Sequence, residues 1–459
     1  MTGAEALIDE CGDAVSCVAA ASVGGERVWT HAAGWADRER GLPAGPDVAY
    51  CIASLTKPLT ALGVLRLVEQ DRIDLGRPIE LYLPRPLATP VGTPDEVTVE
   101  RVLGHLAGLP LHMQFFYADE PDHRRPGVDV TLARYGQVVV PPGERHLYSN
   151  LGYGLLSEVV ARVTGRAWED VVADEVLAPL GMTSSWVGPD HRPGSAAARY
   201  GRDGVAYPAY DVDHPGASLG WATITDLVRL GDAVAGGAGL PVGPSTRDRM
   251  LAPVSSVDGG GAYGLGWIIE DWGGSQVVRH GGSMGGVRAS LVVLPDEGIT
   301  IAVVANTTAS TLPERVTEAV LSELAPQVVA WPHQDRSITA RADRALVGAW
   351  EGTVQTYAGD HPLSLAVAPE RIDVTYRGQR SVGTPLPTTR FAVRFEGRLG
   401  TPDADRRPHE LVASLTPRGD VLDGFVTAMY TLDGDEEGGG RGRRMGNAFS
   451  HHSRLDRVR

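Results

Sequence analysis

The chain has 459 residues, more than one hydrophobic core ordinarily serves, and its 42% hydrophobic and 22% charged composition, with 57 glycines and 32 prolines, is that of a turn-rich globular protein of two domains. A formal charge of -15 excludes nucleic acid and anionic membrane as general partners, and no stretch approaches the roughly 18 continuous apolar residues of a membrane span. The first twelve residues lack the pattern of an export signal, and Cys11, Cys17 and Cys51 have no metal-ligand spacing, so the expected compartment is the reducing cytoplasm.

Residues 15–35 alternate apolar and small side chains around Gly24 and Gly25, which predicts a hairpin. Beyond a polar loop, Leu55, Leu59, Leu62, Leu65 and Val68 recur at helical spacing. Pro58 is tolerated in a first turn, so the helix is expected to start at about Ser54. Lys57 lies on the same face one turn on, and it is the only lysine among 42 basic residues. A lysine gives up its proton when desolvated, whereas a guanidinium does not. A nucleophilic serine needs such a base, and the free amides of a helix start favour a developing anion. Cys51, close by, reads as a small packing residue.

Further helices are predicted at 151–163 and 168–177, and a capping box at Thr223–Asp226 opens another. Tyr148, Ser149 and Asn150 lie on the loop entering the first of these. In extended chain, residues two apart face one way, so Tyr148 and Asn150 are expected to share a cleft. A phenol beside the Lys57 ammonium would have its ionised form favoured and act as base or relay, with Asn150 fixing the lysine and meeting a substrate amide. Phe115, Phe116, Tyr117 and Trp221 are candidates for an acyl pocket and equally for core packing.

From residue 262 the period changes to two, predicting strands at 263–269, 276–280, 287–294 and 299–305, with turns at 273–274, 281–286 and 295–298 and a helix at 313–324. His280, Gly281, Gly282 and Ser283 end the second strand, where glycine lets a substrate backbone come close. Residues 281–285 also spell Gly-x-Ser-x-Gly, but strand rather than helix follows, so Ser283 is a poor nucleophile and its amide is the useful group. Residues 329–342 read as a linker. Seven short alternating runs follow at 346–356, 363–368, 372–376, 391–395, 411–415, 425–430 and 448–455, as in a small antiparallel barrel or sandwich, with a flexible loop expected at 433–444.

Ser54-x-x-Lys57, Tyr148-x-Asn150 and His280-x-Gly282, in that order, resemble the serine β-lactamase and penicillin-binding-protein superfamily, especially its class C, family VIII esterase and D-aminopeptidase branches. The stretches 99–110 (VERVLGHLAGLP), 142–156 (PGERHLYSNLGYGLL), 178–183 (APLGMT), 263–267 (YGLGW) and 294–298 (LPDEG) resemble it too. The resemblance implies an α+β fold over 1–328, an antiparallel sheet flanked by helices plus a helical lobe. Gly348-Ala349-Trp350 resembles the Gly-x-Trp of lipocalins, implying a lipocalin-like barrel over 343–459 in which Arg454 stacks on Trp350.

That layout resembles penicillin-binding-protein-type thioesterases, which release and cyclise nonribosomal peptides. The implied substrate is a peptidyl thioester, ester or amide, and the implied partner a peptidyl carrier protein of a nonribosomal peptide synthetase, with no cofactor and no metal. Ser54 would attack, Lys57 and Tyr148 would take its proton, and the amides of Ser54 and Ser283 would form the oxyanion hole. Asn150, His280, Gly281, Gly282, Trp221, Phe115, Phe116 and Arg454 would hold the substrate. One departure is that His280 stands where lactamases and transpeptidases usually carry lysine, which sets the chain apart from β-lactam hydrolysis and carboxylate-directed transpeptidation. A cytoplasmic esterase or D-specific aminopeptidase shares every catalytic residue, and a β-lactamase, a DD-peptidase or a non-catalytic acylated sensor are the other rivals.

Overall fold

In the computed structural model, which describes residues 1–121, 123–189, 195–328, 346–388, 390–406, 409–429 and 446–458, the two ends of the first 328 residues meet in one nine-stranded sheet. Ser16–Val23 pairs antiparallel with Glu26–Asp37 on one side and with Ile299–Ala305 on the other. Val287–Leu294, Ser275–Met284 and Ile268–Trp272 follow in hairpin order. The central strands are apolar on both faces because both are covered. Val18, Ala20, Leu291, Val293, Ala302 and Val304 face a large core that includes Leu59 and Leu62 of the Thr56–Glu69 helix and Leu227 and Leu230 of the Ile224–Val234 helix. Their neighbours Cys17, Ala19, Ala21, Val292, Ile301 and Val303 face helices Thr2–Asp9 and Leu312–Leu324. Among the described residues, no helix is long and apolar enough to cross a membrane.

The expected strand 263–269 is interrupted, with Ala262–Tyr263 and Ile268–Trp272 separated by a turn. The glycine run expected as a turn at 281–286 is strand through Met284, with Gly281 opposite Ser290 and Gly282 opposite Ala289. Its glycines answer a close approach: a Cβ on Gly282 would lie 2.1 Å from the Ile52 carbonyl oxygen, whereas one on Gly281 meets only the Ala289 carbonyl oxygen at 3.6 Å. The strand thus lies against the short turn Ala53–Leu55 that carries Ser54. Only half the capping box forms. Thr223 accepts the Asp226 amide, but the Asp226 carboxylate accepts from Ser184 N and Ser185 Oγ and pairs with Arg229.

Eight strands from Gly348–Thr356 to Ala448–Arg457 form a closed antiparallel barrel, each beside its neighbour in sequence and the last closing onto the first. The strand missing from the sequence reading is Gln379–Pro385, whose side chains are mostly exposed and show no apolar alternation. Trp350, Leu365, Val374, Val426 and Leu455 fill the interior. Arg457, not Arg454, covers Trp350, its guanidinium 4.3 Å from the ring centroid. Trp350 faces Arg457 across the ladder, so the alternation of the strand turns Arg454 outward, where it is exposed and pairs with Asp456 at 3.9 Å. The expected linker 329–342 and loop 433–444 lie outside the described residues.

The barrel touches the catalytic part through main chain and aromatic rings. Met113 and Ala448 exchange backbone hydrogen bonds of 2.9 and 2.8 Å, and Phe115 N donates to Asn447 Oδ1 at 2.9 Å. Tyr135, at the end of helix Val128–Tyr135, stacks on Phe449 with centroids 4.9 Å apart and donates to Asp403.

The close approach at Gly282 sets a first test. Gly282→Ala is expected to lower stability by about 1–3 kcal/mol, the cost of forcing an extra carbon into packed backbone, while Gly281→Ala changes it by less than about 0.5 kcal/mol. Denaturant titration of the two variants measures the difference, and equal midpoints would mean the strand does not press on residue 52.

Candidate active site

The turn bearing Ser54 is held in an unusual backbone shape. Ala53, just before it, has φ +46, a left-handed conformation uncommon for a residue with a side chain. Thr56 fixes the turn, its buried hydroxyl donating to Ala53 O at 2.6 Å and accepting Gly220 N at 2.7 Å. Ser54 is left partly exposed at the head of the Thr56–Glu69 helix, with the side chain of Lys57 behind it.

Lys57 is fully buried, and burial alone drives its pKa well below the ordinary lysine value. Its Nζ has three polar neighbours: Asn150 Oδ1 at 2.7 Å, Ala217 O at 3.1 Å and Ser54 Oγ at 3.2 Å. The Asn150 and Ala217 oxygens accept only, so they fix the amine as acceptors and leave it within reach of the Ser54 hydroxyl.

Tyr148 and Asn150 do converge on Lys57 from their loop. Nζ stands 4.6 Å from the Tyr148 ring centroid, and the Tyr148 hydroxyl hydrogen-bonds Ser54. The expectation of a favoured phenolate is reversed. Desolvation raises the Tyr148 pKa, and the Ser54 hydrogen bond offsets this only in part. Asn150 begins the Asn150–Thr164 helix and donates through Nδ2 to His112 O at 3.3 Å, which orients its oxygen toward Lys57.

His280 sits one layer back. It is buried, with Nδ1 2.7 Å from Gly281 O and Nε2 2.9 Å from the Tyr263 hydroxyl, so both ring nitrogens are already used. Burial, with Lys57 nearby, pushes its pKa down to about 3. Ser283 follows on the same strand with its side chain exposed.

The substrate-holding candidates divide differently from the expectation. Trp221 is core: fully buried, it pairs with Cys51 and Trp186 in a small sheet and stacks on Trp186 at 5.6 Å. Phe115 and Phe116 are buried too, and Phe115 packs edge-on against Tyr210 in a strand pair with Tyr210–Val212. Arg454 lies on the outer wall of the barrel.

Several residues without an assigned role in the sequence reading complete the site. The rings of His105, Tyr148, Tyr153 and Tyr263 form a cluster, with His105 centroids 4.4, 5.2 and 4.6 Å from the three tyrosines. All lie in stretches that carried the family resemblance, which was the one signal available for them. Among the described residues, His112, Asp213 and His214 have the donor set for a divalent cation, their ligand atoms lying within 4.8 Å of one another. Here Asp213 bridges His112 Nε2 at 2.7 Å and His214 Nδ1 at 2.9 Å. Burial alone would raise the Asp213 pKa, but the two histidines hold it below the usual carboxylate range.

A buried lysine facing a serine hydroxyl, a phenol beside both, and a sheet edge along the serine make up the site of a serine hydrolase, and residues 4–325 match the beta-lactamase family, to which the chain belongs. Among its relatives are penicillin-binding protein 4* of Bacillus subtilis, 29% identical over 36% of this chain and 37% of that protein, and unguisins hydrolase ungD' of Aspergillus campestris, 26% identical over 63% and 58%. The chain thus spans less than two thirds of the length of either. In fold it is similar to SurE, with a TM-score of 0.65 at 22% identity over 91% of this chain and 93% of that one. A D-stereospecific amidohydrolase from Streptomyces sp. is similar over 69% of this chain and 97% of its own, with a TM-score of 0.57 at 24% identity.

Buried neutral histidines give the stability a pH dependence of fixed sign. His280 is near 6.5 in an unfolded chain and about 3 here, so between those values the unfolded chain binds a proton that the folded one refuses. Stability is therefore expected to fall as pH drops from about 6.5 toward 3, and His146, pushed down to about 4, acts in the same direction. Unfolding free energies measured from pH 7 to 4 should fall less steeply for His280→Asn. An unchanged slope would show that His280 does not resist protonation in the folded protein.

Proposed function

We propose that the chain is an acyltransferase working through a Ser54 acyl-enzyme, and that its substrate is a peptidyl thioester delivered by a peptidyl carrier protein and released as a ring. The observation that carries the acyl-enzyme is the buried Lys57 amine, held 2.7 Å from Asn150 Oδ1 and 3.1 Å from Ala217 O with Ser54 Oγ 3.2 Å away. As Ser54 Oγ bonds to the carbonyl carbon, its proton passes to Lys57 Nζ, and the oxyanion lies between the amides of Ser54 and Ser283. Collapse breaks the bond to the leaving thiol, alcohol or amine, which takes the proton back from Lys57 by way of the Tyr148 hydroxyl. An incoming amine then attacks the ester carbonyl and gives its proton to Lys57 along the same path, and the bond from the carbonyl carbon to Ser54 Oγ breaks as Oγ takes that proton back.

The thioesterase reading is supported by the layout, a beta-lactamase family domain followed by a closed eight-stranded barrel, which resembles that of penicillin-binding-protein-type thioesterases. SurE has also been solved with D-Leu, and the amidohydrolase is D-stereospecific by name, which supports an acyl residue of D configuration. The relative named as a hydrolase of unguisins favours a second reading in which water takes the place of the amine.

Incubation with a linear peptidyl N-acetylcysteamine thioester ending in a D-residue is expected to give a covalent adduct on Ser54 and a product lighter than the linear acid by one water. Linear acid as the sole product would select the hydrolase reading. Ser54→Ala should lower turnover at least about 1,000-fold, and Tyr148→Phe about 100-fold or more. A Ser54→Ala protein as active as the parent would end the proposal.

A further inference from the structure

His105 is buried, belongs to no step above, and packs its ring against His146, Tyr148 and Tyr263. It follows the short helix Val99–Leu103 and takes φ +55. That conformation brings its main chain and its side chain onto the same neighbouring loop. Its carbonyl oxygen accepts Leu147 N at 2.7 Å, and its Nδ1 accepts Ser149 N at 3.1 Å. The two bonds fall on either side of Tyr148, whose ring centroid is 4.4 Å from that of His105. The next contacts continue the pattern, since Ser149 Oγ donates to Pro110 O at 2.7 Å and Asn150 N to Leu111 O at 2.8 Å. Segment 105–111 is thus a template on which residues 147–150 are laid, and His105 is its one contact made by a side chain.

We infer that His105 is a positioning residue that sets Tyr148 against Ser54 and Lys57 by holding the Ser149 amide, an inference that rests on the acyl-enzyme reading above. An amide donor requires an acceptor, so Nδ1 must be bare and the proton must sit on Nε2. Burial, with His146, Lys57 and His280 around it, pushes the His105 pKa well down and keeps the ring in that neutral form. Among the described residues Nε2 has no hydrogen-bond partner, and the ring packs against those of Tyr148, Tyr153 and Tyr263, so the bond to Ser149 is the one directed polar contact found for the ring. A donor left unpaired there would cost about 1–3 kcal/mol, enough for the loop to shift. A displacement on the order of 1 Å in a proton-transfer group is worth about 100-fold in rate.

Asparagine and leucine separate this role from mere filling of space. Asn carries an oxygen in place of Nδ1 and tolerates the left-handed backbone, whereas Leu approximates the size without an acceptor. His105→Leu is expected to slow Ser54 acylation by an activated ester about 100-fold in kcat with KM changed less than about threefold, and His105→Asn to stay within about fivefold of the parent. In parallel, hydrogen exchange at the Ser149 amide should be slow in the parent and the Asn variant and at least tenfold faster in the Leu variant, a readout that needs no turnover. A folded Leu variant that keeps the amide protected or acylates at the parent rate would overturn the inference, as would an Asn variant as slow as Leu. A parent that never labels on Ser54, with the exchange pattern as expected, would instead remove the acyl-enzyme reading and leave the template standing.

Discussion

A lysine amine held out of water, its pKa driven down by burial, is the constraint around which this site is arranged. A buried amine costs free energy unless its hydrogens find acceptors. Lys57 has three oxygens around Nζ, those of Asn150, Ala217 and Ser54. Much of the surrounding structure serves those three contacts. Thr56 shapes the turn that presents Ser54, the His112 carbonyl orients the Asn150 amide, and the short helix Pro215–Ser218, beginning beside the Asp213 bridge, brings the Ala217 carbonyl within reach.

The effect of burial extends beyond the lysine. His280, His105 and His146 all have pKa values pushed below the ordinary histidine value by burial, and the neighbouring tyrosines are pushed up. At neutral pH the layer behind Ser54 therefore carries hydrogen bonds but little fixed charge. A lysine at 280 would put an ammonium beside Lys57. The imidazole found there is instead bound to Tyr263 and Gly281, so that position offers a substrate carboxylate no positive charge.

The parts of the site that could be read from sequence are those set by local geometry or by short motifs. Ser54 and Lys57 are one turn apart, so their meeting follows from the start of a helix, and Tyr148 and Asn150 carried the family pattern. The strand order of the sheet followed from its alternation. Parity within the barrel's last strand was harder: Arg454 and Arg457 are indistinguishable until the register opposite Trp350 is known. Apolar residues near a site were no guide to its lining, because Trp221 and Phe115 are as well suited to the core they occupy. The Ala217 oxygen was invisible, since any residue supplies a carbonyl. The contacts of His105 and His280 with tyrosines depend on where distant loops cross, which no local pattern encodes. The strand Gln379–Pro385 lacks a buried row and so lacks the signal.

The paired amides of Met113 and Ala448 have a consequence for how the barrel relates to the chemistry. Met113 adjoins His112, whose carbonyl orients the Asn150 amide and whose ring packs on Tyr135, itself stacked on Phe449 of the barrel. The seam between the two parts thus runs one residue from the carbonyl that orients Asn150 toward Lys57. A chain trimmed of its last strand would bare the Met113 and Phe115 amides and one side of the Tyr135 stack, and the loss would be felt at Asn150 before it reached the sheet. The barrel is a buttress for the active site, and exchanging it for a foreign module would require the same main-chain stitching to be rebuilt.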